Sequence, residues 1–174
     1  MKKGFTLVEM LVSLGLVAML AGIGFASTLR SNAQKEVTES AEMIRQSFMQ
    51  AKSMAQAGKK DCTVCGATGG VCGNGDTPLV GWRTTIVAGT PVTMEIHGEC
   101  GTVIPYTQFF ASGSKSFPSR VTLTLTGSGN VVFYPLNKGT NLGSTTTVRL
   151  SSTITGLTSK TFTISRQGEI SSIY

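Results

Sequence analysis

The chain has few of the residues that carry enzyme chemistry. It contains one histidine, His97, and only 14% charged residues among 174. No G-x-S-x-G nucleophile elbow is present, and no acidic residues follow EF-hand spacing. The glycine-rich stretch after residue 65 also lacks the G-x-x-x-x-G-K-[ST] phosphate loop. These absences argue against an enzyme, and they predict neither a cofactor nor a bound metal.

Acidic residues are also scarce, at 9 against 15 basic ones, which gives a net charge of +6. A basic balance permits contact with nucleic acid or anionic lipid. The positive residues are scattered rather than grouped, so composition selects neither partner. At 40% hydrophobic residues, the chain does not have the composition of a disordered protein. Its length suits one ordinary domain with an appendage.

One long apolar run stands near the N-terminus. Residues 10–29 carry no charge and would span about 30 Å as a helix, the thickness of a bilayer core. A secretory signal peptide has a shorter apolar core followed by a small-residue cleavage site, which this run lacks. A plain membrane anchor leaves Glu9 unexplained, because a carboxylate in an apolar segment is costly. Lys2 and Lys3 precede the run, which predicts a cytoplasmic N-terminus and a domain on the opposite side of the membrane.

The segment KKGFTLVEMLVSLGLVAML, residues 2–20, resembles the class III leader of type IV pilins and type II secretion pseudopilins. The resemblance implies that a prepilin peptidase cuts between Gly4 and Phe5 and methylates the new amino terminus of Phe5. It also implies an assembly role for Glu9, whose carboxylate would neutralise the Phe5 amine of a neighbouring subunit in a filament. An unpaired charge in an apolar core is costly. Because the two groups meet at one axial offset of neighbouring helices, the pair would also set the axial register of the subunits.

A second helical pattern follows the apolar run. Its apolar residues recur at spacings of 4, 3, 4, 3 and 4, which places them on one face of a helix; they are Val37, Ala41, Ile44, Phe48, Ala51 and Ala55. This stripe predicts packing against the protein's own sheet. Gly58, followed by Lys59 and Lys60, indicates the helix end, because glycine suits a left-handed cap and cations suit the negative end of the dipole.

From residue 79 onward the alternation of apolar and polar residues predicts six to eight β-strands. Glycine turns predict one hairpin at residues 127–129 and another around Gln167 and Gly168. The expected fold class is α+β, a long N-terminal helix on one antiparallel sheet assembly. The expected organisation is a leader (1–4), a transmembrane or filament-core helix (5–29), an amphipathic helix (30–58), a loop rich in Cys and Gly (59–79) and a β domain (80–174).

The β half carries the motifs VGWRTTI, GNVVFYPLNKGTN and KTFTISRQGEISSIY, which in this order resemble the GspH/FimT family of minor pilins and pseudopilins. FimT-like members implicated in DNA uptake tend to have arginines in the last hairpin. Here that hairpin has Glu169, with only Arg166 nearby. A DNA-binding minor pilin is therefore the alternative function, with Arg149, Lys160 and Arg166 as candidate contacts to phosphate.

Four cysteines, Cys62, Cys65, Cys72 and Cys100, have the even count expected of disulfides in an oxidising compartment. Four cysteines allow three pairings, and the spacing selects none. The alternatives are a zinc site, since C-x2-C is a common half-site, and free thiols. The matching second C-x2-C is missing, which favours disulfides.

Together these patterns predict a structural subunit, a minor pilin or pseudopilin that joins or initiates a type IV pilus or type II secretion filament, near its tip. The expected partners are other pilins or pseudopilins, the prepilin peptidase and the inner-membrane assembly platform. The expected location is the inner membrane, crossed once, and then the filament in the periplasm or at the cell surface. A membrane-anchored enzyme or metal protein is a third reading.

Overall fold

One helix, α1, runs from Leu7 to Gln56, and its 50 residues extend about 75 Å. The computed structural model describes residues 6–65, 77–87, 89, 91–101 and 108–174. The shorter elements follow α1 in chain order: α2 (Cys62–Cys65), β1 (Leu79–Val87), β2 (Thr93–Cys100), β3 (Gln108–Ser116), β4 (Val121–Thr126), β5 (Asn130–Phe133), β6 (Thr146–Ser152) and β7 (Lys160–Ile164).

The C-terminal end of α1 is closed as its sequence predicts. Gly58 has a φ of 62°, the left-handed conformation that glycine adopts without strain. Its amide donates to the Ala55 carbonyl at 3.1 Å, and the Lys59 amide donates to the Met54 carbonyl at 3.0 Å. These two bonds form a Schellman motif. The prediction that the helix ends at Gly58 is confirmed.

The strands form two antiparallel sheets, a four-stranded sheet in the order β3-β2-β1-β5 and a three-stranded sheet in the order β4-β6-β7. The α+β class is confirmed. The hairpin predicted at residues 127–129 is wrong, because β4 pairs with β6 and β5 pairs with β1. All three residues after Asn130 in β5 are buried, whereas the residues of β4 alternate between inward and exposed positions. The turn therefore carries the chain from one sheet to the other.

The inner faces of both sheets pack on the amphipathic half of α1. The predicted stripe from Val37 to Ala55 is fully buried or nearly so, at 0–1% exposure. Phe48 lies between the two sheets, with ring centroids 6.3 Å from Phe133 of β5 and 6.1 Å from Phe162 of β7, both edge-to-face. The prediction that this stripe packs on the protein's own sheet is confirmed.

The C-terminal residues extend the three-stranded sheet past β7. Gly168 has a φ of 78°, and an antiparallel bridge joins Ile164 to Ile170. Thr161 and Tyr174 then exchange two backbone hydrogen bonds of 2.9 and 3.0 Å. The hairpin predicted around Gln167 and Gly168 is confirmed, and the open edge of β7 is covered by the chain's own end.

We predict that Gly81→Ala lowers the free energy of unfolding by about 1–3 kcal/mol, the usual effect of overpacking. A Cβ at Gly81 would lie 2.5 Å from the Phe133 carbonyl oxygen and 2.8 Å from Val132 Cγ1, so β1 and β5 would have to separate. The measurement is thermal unfolding of the full chain in detergent, followed by circular dichroism. Gly143→Ala is the matched control, because a Cβ there meets nothing within 4 Å. Equal melting temperatures for the two variants would contradict the prediction.

Candidate assembly and processing site

The first turn of α1 holds the glutamate that the sequence singles out. Thr6 is the N-cap residue, and its Oγ1 accepts a hydrogen bond from the Glu9 amide at 3.3 Å. Glu9 therefore occupies the third helical position, where a carboxylate is favoured by the helix dipole. Gly4 and Phe5 lie outside the described residues, so cleavage and methylation there stay predictions, as does the assembly role of Glu9.

The apolar half of α1 is exposed along most of its described length. Its large side chains are 41–77% exposed; they are Leu7, Val8, Met10, Leu11, Val12, Leu14, Leu16, Val17, Met19, Leu20, Phe25 and Leu29. Ser13, a polar residue among them, bonds to the carbonyl of Glu9 at 2.7 Å and so satisfies its hydroxyl within the helix. Soluble monomers rarely expose a continuous apolar surface of this length, which marks a contact with membrane or protein.

Burial begins at Ala33, which is 1% exposed. One residue further, the Gln34 side chain makes two hydrogen bonds with Thr158, donating to its carbonyl at 3.0 Å and accepting from its amide at 2.9 Å. Within the described part of the chain, α1 is the one helix long and apolar enough to cross a membrane, judged by length and composition. One continuous helix is thus exposed along its apolar half and buried against the sheets along its second half.

A disulfide joins α2 to the end of β2. Cys65 is bonded to Cys100, with their Cα atoms 5.7 Å apart, and both are fully buried. Thr77 secures the same corner, since its amide and its hydroxyl both donate to the Cys65 carbonyl. Cys62 is also disulfide-bonded, and Cys72 lies outside the described residues. The expectation of disulfides is met at Cys65 and Cys100, which are therefore not thiolate ligands for zinc.

A charged cluster that the sequence did not indicate lies on the four-stranded sheet. Glu99 of β2 is fully buried and accepts a hydrogen bond from Arg83 Nε of β1. His97 Nε2 lies 3.8 Å from the same carboxylate oxygen. Burial is the main cause that lowers the pKa of His97, and Arg83 adds to it, against the opposite effects of Glu99 and Glu95. The imidazole is therefore held neutral near pH 7, and Arg83 is the cation that compensates Glu99.

The three residues predicted for DNA contact do not all come together. Arg149 of β6 and Lys160 of β7 are on neighbouring strands, where Lys160 pairs with Leu150. Arg166 lies beyond the other end of β7, in the C-terminal hairpin, about 20 Å along the strand direction from Lys160. Arg149 also donates to Ser159 Oγ at 3.1 Å. A role of all three in DNA contact stays a prediction.

The comparisons with known proteins address the N-terminus. Residues 1–25 match the prokaryotic N-terminal methylation motif. No curated protein and no solved structure matches the chain. The match, together with the long helix on antiparallel sheets, supports a type IV pilin-like protein. It also supports processing by a prepilin peptidase and a structural rather than enzymatic role.

We predict that Arg83→Met lowers the free energy of unfolding by about 3 kcal/mol, because it leaves the buried Glu99 carboxylate uncompensated. The double variant Arg83→Met with Glu99→Met should lose much less, since apolar residues can replace a buried ion pair at little cost. Arg149→Met is the control, because Arg149 is exposed and an exposed substitution changes stability by about 0.5 kcal/mol or less.

The measurement is denaturant unfolding of the full chain in detergent, without reductant. Equal losses for Arg83→Met and Arg149→Met would show that the buried pair does not stabilise the sheet. A double variant as unstable as Arg83→Met alone would contradict the explanation that the loss comes from an uncompensated Glu99 carboxylate.

Proposed function

We propose that this protein is a minor pilin or pseudopilin of the GspH/FimT kind. A prepilin peptidase cleaves it between Gly4 and Phe5 and methylates Phe5, and the processed chain joins or initiates a type IV pilus or type II secretion filament near its tip. Its partners are other pilins or pseudopilins, the peptidase and the inner-membrane assembly platform. Before assembly, the chain resides in the inner membrane with its N-terminus in the cytoplasm and its domain outside.

One observation carries the proposal: a methylation motif leads into a helix half whose most apolar window is wholly exposed. Such a surface is stable in lipid or among like helices, and it is not stable in water. The other half of the same helix is the core of a folded domain. A pilin helix moves from a membrane to the core of a filament and carries its domain with it. This requires one half that is apolar and exposed and another half that is packed in the domain.

Glu9 then has a role at the filament axis. Once residues 1–4 are removed, the Phe5 amine is a cation one residue before the helix cap at Thr6. A carboxylate and an amine within an apolar core each need a partner of opposite charge. Pairing Glu9 of one subunit with Phe5 of the next satisfies both, and it fixes how far one helix slides along another.

We predict that intact mass analysis finds two forms, according to whether the cells contain a prepilin peptidase. With the peptidase, the chain should lose residues 1–4 and gain about 14 Da for one methyl group. Reduction should add about 4 Da for two disulfides, and peptide mapping should link Cys65 to Cys100 and Cys62 to Cys72. An uncut chain in both strains would contradict filament processing and leave a membrane anchor.

We predict that Glu9→Gln is cleaved and inserted in the membrane but is at least about tenfold depleted from sheared filaments, because the unpaired amine costs more than about 1.4 kcal/mol. The measurement is the ratio of filament to membrane protein by immunoblot. Glu39→Gln is the matched control, since Glu39 is an exposed glutamate in the packed half of the same helix. Normal incorporation of Glu9→Gln would exclude the pairing.

A further inference from the structure

The loop between β6 and β7 lies beside the point where the exposed apolar half of α1 ends. Residues 153–159 form this loop, which we call the lower loop. Thr158 is held to Gln34 by the two hydrogen bonds described above. A Cβ at Gly156 would lie 3.6 Å from Arg30 Nη2. The lower loop is therefore at the same height along α1 as residues 30–34.

That height corresponds to lipid headgroups when α1 spans a bilayer. From Leu7 to Leu29 the helix rises about 33 Å, close to the 30 Å of a hydrocarbon core. A tilt of about 20° would shorten this by only about 2 Å. Gln34 lies about 7 Å further along, within the interfacial layer that surrounds the core. The lower loop then lies among the headgroups of the outer leaflet and not in bulk water.

A cavity opens between α1 and the lower loop at this level. It has a volume of about 560 Å³ and is lined by Ser27, Leu29, Arg30 and Ile154; we call it the notch. Its size is that of sites for small ligands, about 300–1,000 Å³. Two apolar side chains and one cation line it, and it is continuous with the exposed apolar surface of the helix. This combination suits a phospholipid, with acyl carbon against Leu29 and phosphate against Arg30.

The charges near the lower loop are mainly positive, which suits an anionic headgroup. No carboxylate in the described part of the chain lies within ion-pairing distance of Arg30. Arg120, whose carbonyl accepts from the Thr153 amide at 2.9 Å, is exposed in the turn beside the lower loop. The basic residues on the segments next to the lower loop are Arg30, Lys35, Arg120, Arg149 and Lys160, and the acidic residues there are Glu36 and Glu39. Five minus two leaves three positive charges on these segments.

We propose that the lower loop and the notch bind the headgroups of anionic phospholipids while the chain waits in the membrane. Arg30 and Arg120 contact phosphate, and Ile154 contacts the upper acyl carbons. The contact fixes the orientation of the domain relative to the bilayer surface, and it breaks when the subunit enters a filament. This inference rests on the proposed function only through the membrane anchoring of α1.

The test measures hydrogen exchange of residues 153–159 in the full chain, reconstituted at one copy per nanodisc. One set of nanodiscs contains phosphatidylcholine alone, and the other contains phosphatidylcholine with phosphatidylglycerol. Each cation near an anionic surface contributes about a five-fold effect, so we expect exchange at least about five-fold slower with phosphatidylglycerol. Raising the salt concentration should remove most of the difference.

The variant Arg30→Gln with Arg120→Gln should abolish the difference. The matched control is Lys52→Gln with Lys138→Gln, which removes the same charge at the other end of the domain and should keep the difference. Equal exchange in both lipids, or equal loss in the control, overturns the proposal. Protection that requires several copies in one disc would identify a second copy of the chain as the occupant and would also overturn it.

The outcome can be separated from that of the proposed function. Arg30→Gln with Arg120→Gln should still be cleaved after Gly4 and incorporated into filaments, because neither residue belongs to the processing segment. Cleavage without any lipid effect overturns the headgroup contact alone. A full chain that does not insert into either nanodisc overturns the membrane anchoring that both depend on.

Discussion

The contact of Phe48 with Phe133 and Phe162 is the point at which the two sheets meet on α1. Neither sheet has more than four strands, and small sheets are stable only when their apolar face is covered. Among the described elements, α1 is the one that packs on both sheets. The helix stripe is therefore the centre of the core that both sheets share.

The central helix continues into the exposed apolar segment. Side-chain packing along its second half sets the position of the domain on the helix. Two polar contacts reinforce it at separate heights. Gln34 bonds to Thr158 near the lower end, and Arg45 Nε, about three turns further along α1, donates to the Ser171 carbonyl at 3.0 Å. A helix held along 20 residues by a close-packed core does not slide in register by small steps. Movement of the apolar segment along its axis therefore moves the whole domain.

The parts predictable from sequence are those set by local periodicity. The stripe from Val37 to Ala55 and the helix end at Gly58 follow from spacing and cap chemistry alone. The hairpin at residues 127–129 was predicted wrongly, because a glycine turn indicates a reversal and does not say which strand becomes the partner. The burial of Glu99 was not predictable either. Alternation in β2 assigns Glu99 a face of the sheet, but whether that face is covered depends on distant parts of the chain. The roles of Gly4, Phe5 and Glu9 involve other molecules, and for these the leader motif remains the guide.

Arg83 differs from Arg30 and Arg120 in how strongly its charge interacts with its surroundings. Arg83 is committed to a buried carboxylate, where removing either partner costs several kcal/mol. Arg30 and Arg120 are exposed and without an acidic partner in the described residues, so each can contribute only the modest, salt-sensitive attraction of a surface cation. Force on the apolar segment would therefore break the proposed lipid contact at the lower loop before it disturbed the sheets. This order follows from burial: the proposed lipid contacts are made by exposed side chains, while the Glu99 carboxylate and the Phe48 ring that hold the domain together are buried.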